Sequence, residues 1–288
     1  MKKILVIGQD GMLGGELYER LAQNLDYDVY KTTIETLDIC SKEAVLNKVK
    51  EVEPYYIINC AAYTNVDGCD TNFELANSVN GEAVLNIAQA ANEVGATLIQ
   101  ISTDYVFDGK LELDKVYTED MIPCPVSGYG RSKYLGEKNA AKCEKYYILR
   151  TAWLYGLGGK NFVKTILKLS NDKDEISVVS DQHGSPTSTT SLCEIIESIM
   201  TKEPAYGIYH STNEEFTVWS DFAKTIFELA GKNTKVKPIT SEEYKKMYPN
   251  SSDRPKNSKL SKEKLKSVGI IPKNWKDALQ EYLKEELK

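Results

Sequence analysis

The chain has 288 residues and a net charge of −6, and 41% of its residues are hydrophobic and 27% charged, which is ordinary for a globular protein. The acidic balance argues against a nucleic-acid partner, and no stretch approaches the roughly 20 apolar residues of a membrane span. Six scattered cysteines without a CxxC pair, two histidines and an apolar run too short for an export signal argue against structural zinc and predict a reduced, cytoplasmic protein.

The first half of the chain alternates short apolar runs with amphipathic stretches. The predicted strands are Lys3–Ile7, Asp28–Thr32, Tyr55–Cys60, Thr97–Ser102 and Tyr146–Arg150. The predicted helices between them are Met12–Asn24, a helix capped by Ser41 that runs to Val52, Phe73–Val94 and Ser132–Cys143. Strands separated by helices indicate βαβ units, and nearly continuous apolar strands indicate a sheet covered on both faces. We therefore predict an α/β fold with a doubly wound, Rossmann-like parallel sheet.

The alternation loosens after about Tyr155. Predicted helices follow at Phe162–Ser170, Ser191–Thr201 and Ser220–Ala230, with short strands at Ile176–Val179 and Ile208–His210 and a Lys/Glu-rich helix at the end. We expect a dinucleotide-binding domain over residues 1–155. Residues 156–288 are expected to form a smaller substrate-binding lobe, either separate from the sheet or interleaved with it.

A GxxGxxG run, Gly8-Gln9-Asp10-Gly11-Met12-Leu13-Gly14, lies between the first predicted strand and the first predicted helix. Glycines let the backbone turn tightly and approach a pyrophosphate, while the helix N-terminus offers free N–H groups. The same run is also compatible with an ordinary glycine-containing turn, but its position favours a dinucleotide site. We predict cofactor contacts from Gly8, Gly11, Met12, Leu13 and Gly14.

The end of the second predicted strand bears on the choice of cofactor. An acidic residue there commonly holds the ribose 2′-OH of NAD, whereas a basic residue accommodates a 2′-phosphate. Lys31 occupies this strand end and Asp38 comes several residues later. This pattern favours NADPH, with NADH also accepted, and we assign both residues to the cofactor site. The alternative interpretation is a solvated surface lysine.

Hydroxyl and carboxyl groups follow the fourth predicted strand, at Thr103 and Asp104. Ligand chemistry in doubly wound sheets occurs at the carboxyl ends of strands, although a polar strand end can also be purely structural. Three Tyr-x-x-x-Lys pairs occur in the chain, and only Tyr129/Lys133 opens a helix after the fourth strand. At positions i and i+4 of a helix, the two side chains share one face.

Several segments together resemble a known family. They are Gly8–Gly14, Asn59–Thr64, Ser102–Phe107, Tyr129–Lys133, Arg150–Tyr155, the DQxGxPT-like stretch Asp181–Thr187 and the RPxNSxL-like stretch Arg254–Leu260. In this order they resemble the extended short-chain dehydrogenase/reductases and, among these, the dTDP-4-dehydrorhamnose reductase family. The last two stretches are far more specific than GxxGxxG or YxxxK. The resemblance covers nearly the whole chain.

The resemblance implies a role for each matching position. Tyr129 is expected to donate the proton, Lys133 to assist it and bind the ribose, and Thr103 to place a hydroxyl on the substrate carbonyl. The residues implied to line the cofactor are Ala61, Ala62 and Tyr63, with Tyr129 and Lys133. The residues implied to contact the nucleotide-sugar are Val66, Asp67, Thr103, Asp104, Trp153 and Arg254. Arg254 is also the one arginine of four that lies in a polar, proline-bearing loop, where a guanidinium can bind phosphate oxygens in pairs.

One departure from the family concerns metal. Magnesium-using members carry a glutamate shortly after the Pro-Thr pair, where this chain has Thr190, although Glu16 is retained. We therefore expect no metal, and the metal-bridged homodimer is in doubt although a homodimer stays open. His183 occupies the variable position of its stretch and His210 a short strand, so both are expected to be structural.

The resemblance implies reduction of the 4-keto group of a nucleotide-activated deoxysugar by NADPH, in dTDP-rhamnose and carbohydrate biosynthesis. In this reaction a nearby ammonium and the charge of the oxidised nicotinamide are expected to favour the tyrosine phenolate and so lower its pKa from about 10. One alternative is an epimerase or dehydratase of the same fold, which returns the hydride. Another is a cofactor-binding regulatory subunit without turnover.

Overall fold

A six-stranded parallel sheet forms the centre of the protein, whose computed structural model describes residues 1–288. The strands are β1 (Lys2–Ile7), β2 (Tyr27–Thr32), β3 (Tyr56–Asn59), β4 (Thr97–Thr103), β5 (Tyr146–Thr151), β6 (Leu154–Tyr155), β7 (Glu175–Val179), β8 (His183–Gly184), β9 (Thr187–Ser188), β10 (Gly207–His210), β11 (Thr217–Val218) and β12 (Lys235–Ile239). The large sheet has the order β2-β1-β3-β4-β5-β10, and every neighbouring pair in it is parallel. Three small two-stranded pairs, β6–β9, β7–β12 and β8–β11, lie outside it.

Helices cover both faces of this sheet. They are α1 (Met12–Leu21), α2 (Lys42–Val52), α3 (Val66–Thr71), α4 (Phe73–Asn77), α5 (Ala83–Val94), α6 (Gly128–Ala140), α7 (Phe162–Leu169), α8 (Thr189–Lys202), α9 (Trp219–Leu229), α10 (Ser241–Met247), α11 (Glu263–Ser267) and α12 (Trp275–Glu286). Along β1, Ile4 and Val6 pack in the core that contains α1 and α8, while Leu5 and Ile7 pack in the core that contains α2 and α5. Alternate residues of a strand point to opposite faces, so a strand buried on both is continuously apolar. The predicted doubly wound fold is confirmed.

The long helix predicted over Phe73–Val94 is interrupted, which corrects that prediction. A π-helical turn, Ser78–Glu82, separates α4 from α5. The buried Asn80 in this turn accepts a hydrogen bond from the Tyr63 amide at 2.7 Å and donates to the Tyr63 carbonyl at 3.0 Å. The wider turn thus directs a polar side chain at the neighbouring loop, as π-turns at functional sites often do.

The helix predicted over Ser132–Cys143 starts four residues earlier, at Gly128, and ends at Ala140. Glycine has a low intrinsic helix propensity, so Gly128 and Gly130 gave no sign of a helix start. Both are needed for close packing, because a Cβ on Gly130 would lie 2.2 Å from the Tyr105 carbonyl oxygen and one on Gly128 2.6 Å from that of Cys69. Ser127 caps the helix by accepting a hydrogen bond from the Gly130 amide.

The C-terminal part of the chain contributes both to the sheet and to a core of its own. β10 adds the last strand of the sheet, beside β5. The separate core is built from α7, α9, α12 and β7, with Phe222 and Trp275 at its centre. The division at residue 155 stays a prediction. None of the helices is long and apolar enough to cross a bilayer.

Candidate active site

The glycine-rich run forms a tight turn from β1 into α1. Gly8 has φ +81°, which a side chain would strain, and a Cβ on Gly14 would lie 2.1 Å from the Gly8 carbonyl oxygen. The first amides of a helix have no intrahelical acceptor, and no side chain caps the N-terminus of α1. Thr32, buried at the end of β2, accepts from the Gly8 and Gln9 amides through its carbonyl, and its hydroxyl has no hydrogen-bond partner within the protein. This cradle fits the pyrophosphate and ribose of a dinucleotide.

The two predicted residues at and beyond the end of β2 lie on the surface. Lys31 is exposed, with its Nζ 4.6 Å from the centre of the Tyr18 ring. Asp38 is also exposed and accepts a hydrogen bond from the Cys40 amide at 2.9 Å. Their assignment to the cofactor stays a prediction.

The segment Ala61–Tyr63 follows β3 and lies next to the glycine turn. A Cβ on Gly8 would come within 2.7 Å of the Ala61 amide nitrogen. Asn59 Oδ1 accepts from this amide, and Asn80 holds both backbone groups of Tyr63. These contacts fix the segment beside the cradle.

The predicted catalytic residues come together at the carboxyl end of β4. Thr103 is its last residue, and Tyr129 and Lys133 lie in the first turns of α6. Lys133 is buried and donates from Nζ to the Ile101 carbonyl of β4 at 2.7 Å. Burial lowers the pKa of Lys133 to about 8, although the nearby carboxylate of Glu137 acts in the opposite direction and raises this pKa.

The pKa of Tyr129 is raised above its ordinary value of 10.0. Burial is the largest cause and the charge of Asp104 adds to it, while the Thr103 hydroxyl acts in the opposite direction. The Tyr105 ring packs edge-on against the Tyr129 ring with centroids 5.5 Å apart. The protein alone therefore keeps this phenol protonated, and the lowering expected during the reaction, from the oxidised nicotinamide's charge, stays a prediction.

A carboxyl group stands beside these residues. Asp104 is buried, and burial raises its pKa to about 6 although hydrogen bonds from Ser258 and Thr103 lower it. The Thr103 hydroxyl donates to Asp104 Oδ1 at 3.0 Å, and the Ser258 hydroxyl donates to Oδ2.

A buried ion pair lies behind the lysine. Arg150, at the end of β5, donates to both oxygens of Glu137 at 2.9 and 2.8 Å, and Ser102 donates to the same carboxylate at 2.6 Å. His210 packs at the other side of Arg150, and its pKa is far below 6.5 because of burial and the charge of Arg150. A neutral, enclosed His210 agrees with the structural role expected for it.

Two of the predicted substrate residues, Trp153 and Arg254, are held by contacts within the protein, and the substrate role of this set stays a prediction. Trp153 has φ +50° and stacks on Trp219, with ring centroids 3.7 Å apart and planes 12° apart. Arg254 approaches Asp67 at 3.6 Å, and the neighbouring Ser252 hydroxyl donates to the carbonyl of Val66. The loop that carries Arg254 thus rests on α3. The Nε of Arg254 has no partner within the protein.

Glu16 is engaged within the chain. Thr190 donates to its Oε1 at 2.6 Å and Thr189 to its Oε2. The two hydroxyls join α1 to the start of α8. His183 sits in β8, where its amide donates to the Lys256 carbonyl and its own carbonyl accepts from the Ser258 amide.

Sequence reasoning missed three features of the site. Asn80 is hidden in a segment that looks like a plain amphipathic helix, although the adjacent Gly81 signals a close approach. Glu137 follows Lys133 by one helical turn, but its partner Arg150 lies on a different strand. Ser258 lies inside the RPxNSxL-like stretch, yet nothing local indicates that it contacts Asp104.

Comparison with known proteins places the chain in a family. The RmlD substrate binding domain family matches residues 1–288. A dTDP-4-dehydrorhamnose reductase of Aggregatibacter actinomycetemcomitans is 38% identical over 289 residues, covering 97% of this chain and 98% of that protein. A spore coat polysaccharide biosynthesis protein of Bacillus subtilis (strain 168) is 40% identical over 286 residues, covering 99% and 98%.

Solved structures of reductases of this name resemble the chain over its whole length. The crystal structure of dTDP-4-dehydrorhamnose reductase from Bacillus anthracis in complex with NADP superposes with a TM-score of 0.93 at 38% identity, covering 99% of both chains. A reductase of the same name from Clostridium acetobutylicum gives a TM-score of 0.94 at 40% identity, covering 99% of this chain and 100% of the other. The match over all 288 residues and these full-length likenesses show that the chain belongs to the dTDP-4-dehydrorhamnose reductase family.

Proposed function

We propose that this protein reduces the 4-keto group of dTDP-4-dehydro-L-rhamnose to give dTDP-L-rhamnose, with NADPH as the reductant. The observation that supports the proposal is that Thr103, Tyr129 and Lys133 lie at the carboxyl end of β4, in the same parallel sheet as β1, which leads into the Gly8–Gly14 turn. The chain also matches named reductases along nearly its whole length. The reaction belongs to dTDP-rhamnose and carbohydrate biosynthesis. A cytoplasmic location is part of the proposal, and a homodimer stays open.

The cofactor site is assigned to the cradle at the start of α1. Gly8, Gly11, Met12, Leu13 and Gly14 offer backbone amides and close approach to the pyrophosphate. Ala61, Ala62 and Tyr63 form the neighbouring wall, and Lys31 and Asp38 are assigned to the adenosine side. The Bacillus anthracis relative was solved with NADP, which supports NADPH, and we expect NADH to be accepted more weakly.

Bound NADPH supplies the hydride that reduces the sugar carbonyl, and the protein supplies the proton and the orientation. The raised pKa of Tyr129 keeps its phenol protonated near neutral pH, so the proton that the reaction needs is present on Tyr129 before hydride transfer. After transfer, a phenolate remains in a buried place. The Lys133 ammonium, one helical turn away on the same face, favours that anion.

The nucleotide-sugar is assigned to the side of the site formed by Val66, Asp67, Asp104, Trp153 and Arg254. The Nε of Arg254 is buried without a partner in the protein while the side chain as a whole is 34% exposed, and this combination suits a phosphate contact. The Trp153 ring, backed by Trp219, offers a flat apolar wall for the sugar.

The test is a small panel of 4-keto nucleotide-sugars mixed with the protein and NADPH in excess EDTA, with loss of the reduced-nicotinamide absorbance as the readout. We expect repeated turnover with dTDP-4-dehydro-L-rhamnose and no requirement for added magnesium. Product formation without net NADPH oxidation would identify an epimerase or dehydratase. Cofactor binding with no turnover on any sugar would identify a regulatory subunit.

The proton donor is tested by Tyr129→Phe, which removes only the phenolic hydroxyl. Reduction should fall by on the order of 100-fold or more, the usual scale for loss of a general acid. NADPH affinity, measured by fluorescence titration, should persist because the ring still packs on Tyr105. Turnover within about tenfold of wild type would remove Tyr129 from this role.

A further inference from the structure

A buried carboxyl group links the catalytic strand to the C-terminal part of the chain. Asp104 directly follows β4, and Ser258 lies 154 residues later in the RPxNSxL-like stretch. Thr103, Asp104 and Ser258 have relative exposures of 6%, 2% and 3%. Each carboxylate oxygen of Asp104 accepts one hydroxyl, Oδ1 from Thr103 and Oδ2 from Ser258.

Ser258 is itself firmly placed. Its amide donates to the His183 carbonyl at 2.7 Å. The neighbouring Asn257 donates from its side chain to the carbonyls of Leu111, Glu112 and Lys115. Such bonding of a buried segment leaves the Ser258 hydroxyl little freedom to move away from Asp104.

The direction of the Thr103 hydroxyl follows from these contacts. A threonine hydroxyl has a single proton, and here it points at Asp104 Oδ1. The Thr103 hydroxyl oxygen accepts from the Tyr105 amide at 3.3 Å. With its proton on Asp104 and a lone pair on the Tyr105 amide, the Thr103 side chain is held in one orientation at the end of β4.

We propose that Ser258 is a positioning residue for reduction: by holding the Asp104 carboxylate, it fixes the orientation of the Thr103 side chain at the end of β4. The inference rests on the proposed function. It assigns a task in the chemical step to a residue of the C-terminal part of the chain, four positions after Arg254.

The physical reason lies in the cost of burying Asp104. Burial favours the neutral carboxyl, and the Ser258 hydrogen bond is the first of the contacts that offset it. Without Ser258, a larger share of Asp104 is protonated near neutral pH. A protonated carboxyl can donate to Thr103 instead of accepting from it, and the Thr103 hydroxyl is then free to rotate.

The experiment compares Ser258→Ala with Ser261→Ala in full kinetics with dTDP-4-dehydro-L-rhamnose and NADPH. Ser261 is a matched control because it is a buried serine of the same segment whose hydroxyl accepts from the Glu263 amide and does not contact Asp104. Reactions with NADPH deuterated at the transferred position give the primary isotope effect on kcat. NADPH affinity is measured separately by fluorescence titration.

We expect Ser258→Ala to lower kcat on the order of tenfold, the scale of one lost hydrogen bond to a charged group, while KM and NADPH affinity stay within about threefold. Its isotope effect should rise, because hydride transfer becomes slower relative to product release. Ser261→Ala should match wild type in all four measurements. Asp104→Asn should lose a similar factor, and the double variant should lose no more than the larger single loss.

The proposal is overturned by a Ser258→Ala kcat within about twofold of wild type, or by an equal loss in Ser261→Ala. A lower kcat matched by an equal fall in the folded fraction, measured by circular dichroism, also overturns it. If Ser258→Ala does not fold, Ser258→Cys keeps the branching of the side chain with a larger atom and a weaker donor, and it should show a smaller loss of the same kind. A wild-type protein that oxidises no NADPH on the sugar panel instead contradicts the proposed function.

Discussion

Glu137 and Arg150 form a doubly hydrogen-bonded ion pair, with side-chain exposures of 3% and 1%, one helical turn behind Lys133. Glu137 comes from α6 and Arg150 from β5, so the pair ties the helix that carries Tyr129 and Lys133 to the sheet. The Glu137 carboxylate also favours the charged form of Lys133.

Breaking this pair should destabilise the protein strongly. In Glu137→Gln, the Arg150 guanidinium stays buried without its anion, a change that typically costs about 3–5 kcal/mol of unfolding free energy. Urea unfolding monitored by circular dichroism measures this loss. Glu197→Gln is the control, because its pair with Arg20 is about one-third exposed, and we expect it to cost less than about 1 kcal/mol. Equal losses in the two variants would contradict the structural role given to Glu137.

Lys133→Met should abolish reduction and stabilise the fold. Burial lowers the pKa of Lys133 from 10.5 to about 8, so below pH 8 the lysine is charged in both the folded and unfolded states and its burial cost is fully present. As the pH rises from about 8 toward 10.5, the folded protein gives up this proton first and the cost disappears. We expect the substitution to raise the unfolding free energy by on the order of 1–3 kcal/mol near neutral pH, and by less at about pH 10. Chemical denaturation at both pH values measures the unfolding free energy. A Lys133→Met variant less stable than wild type near neutral pH would contradict the burial cost ascribed to Lys133.

Lys31 should set the preference for NADPH. Its ammonium is exposed, and it lies over the Tyr18 ring. Lys31→Ala should lower kcat/KM for NADPH by on the order of tenfold and leave kcat/KM for NADH nearly unchanged, since only NADPH carries the 2′-phosphate. Lys50→Ala, on the exposed surface of α2, is the control. Two results would contradict this role for Lys31. One is a higher kcat/KM for NADH than for NADPH in the wild-type protein, and the other is an equal effect of Lys31→Ala on the two cofactors. Either result would show that Lys31 is a solvated surface residue that does not contact the cofactor.

How far the sequence predicts this site depends on whether the signal is local. Short local patterns in the sequence predict the β1 strand, the Gly8–Gly14 turn and the Tyr129/Lys133 pair. The structure has all three, in the predicted parallel sheet. The π-turn at Asn80 and the early start of α6 at Gly128 depend on close packing against residues far away in the chain. The Ser258–Asp104 contact spans 154 residues, so no local pattern could indicate it.

Arg254 should bind the nucleotide-sugar and not the cofactor. Its side chain is 34% exposed and its contact with Asp67, at 3.6 Å, leaves Nε without a partner. Arg254→Ala should weaken nucleotide-sugar binding by about 1.5–3 kcal/mol, the scale of a charged hydrogen bond, with NADPH affinity unchanged. Arg254→Lys should bind the nucleotide-sugar more tightly than Arg254→Ala but more weakly than wild type, because an ammonium cannot reproduce the paired hydrogen-bond geometry of a guanidinium.

Isothermal calorimetry with each ligand provides both dissociation constants for Arg254→Ala. Arg20→Ala is the control, since Arg20 pairs with Glu197 between α1 and α8. Equal nucleotide-sugar affinity in Arg254→Ala and wild type would show that Arg254 does not contact the substrate.

The most direct test of the central claim follows the hydride. Wild-type protein is incubated with dTDP-4-dehydro-L-rhamnose and NADPH deuterated at the transferred position, and the product is analysed by NMR and mass spectrometry. We predict dTDP-L-rhamnose with one deuterium at the sugar C4 for each NADPH oxidised. A product without deuterium, or one formed while the NADPH concentration stays constant, would contradict the assignment as a 4-keto reductase.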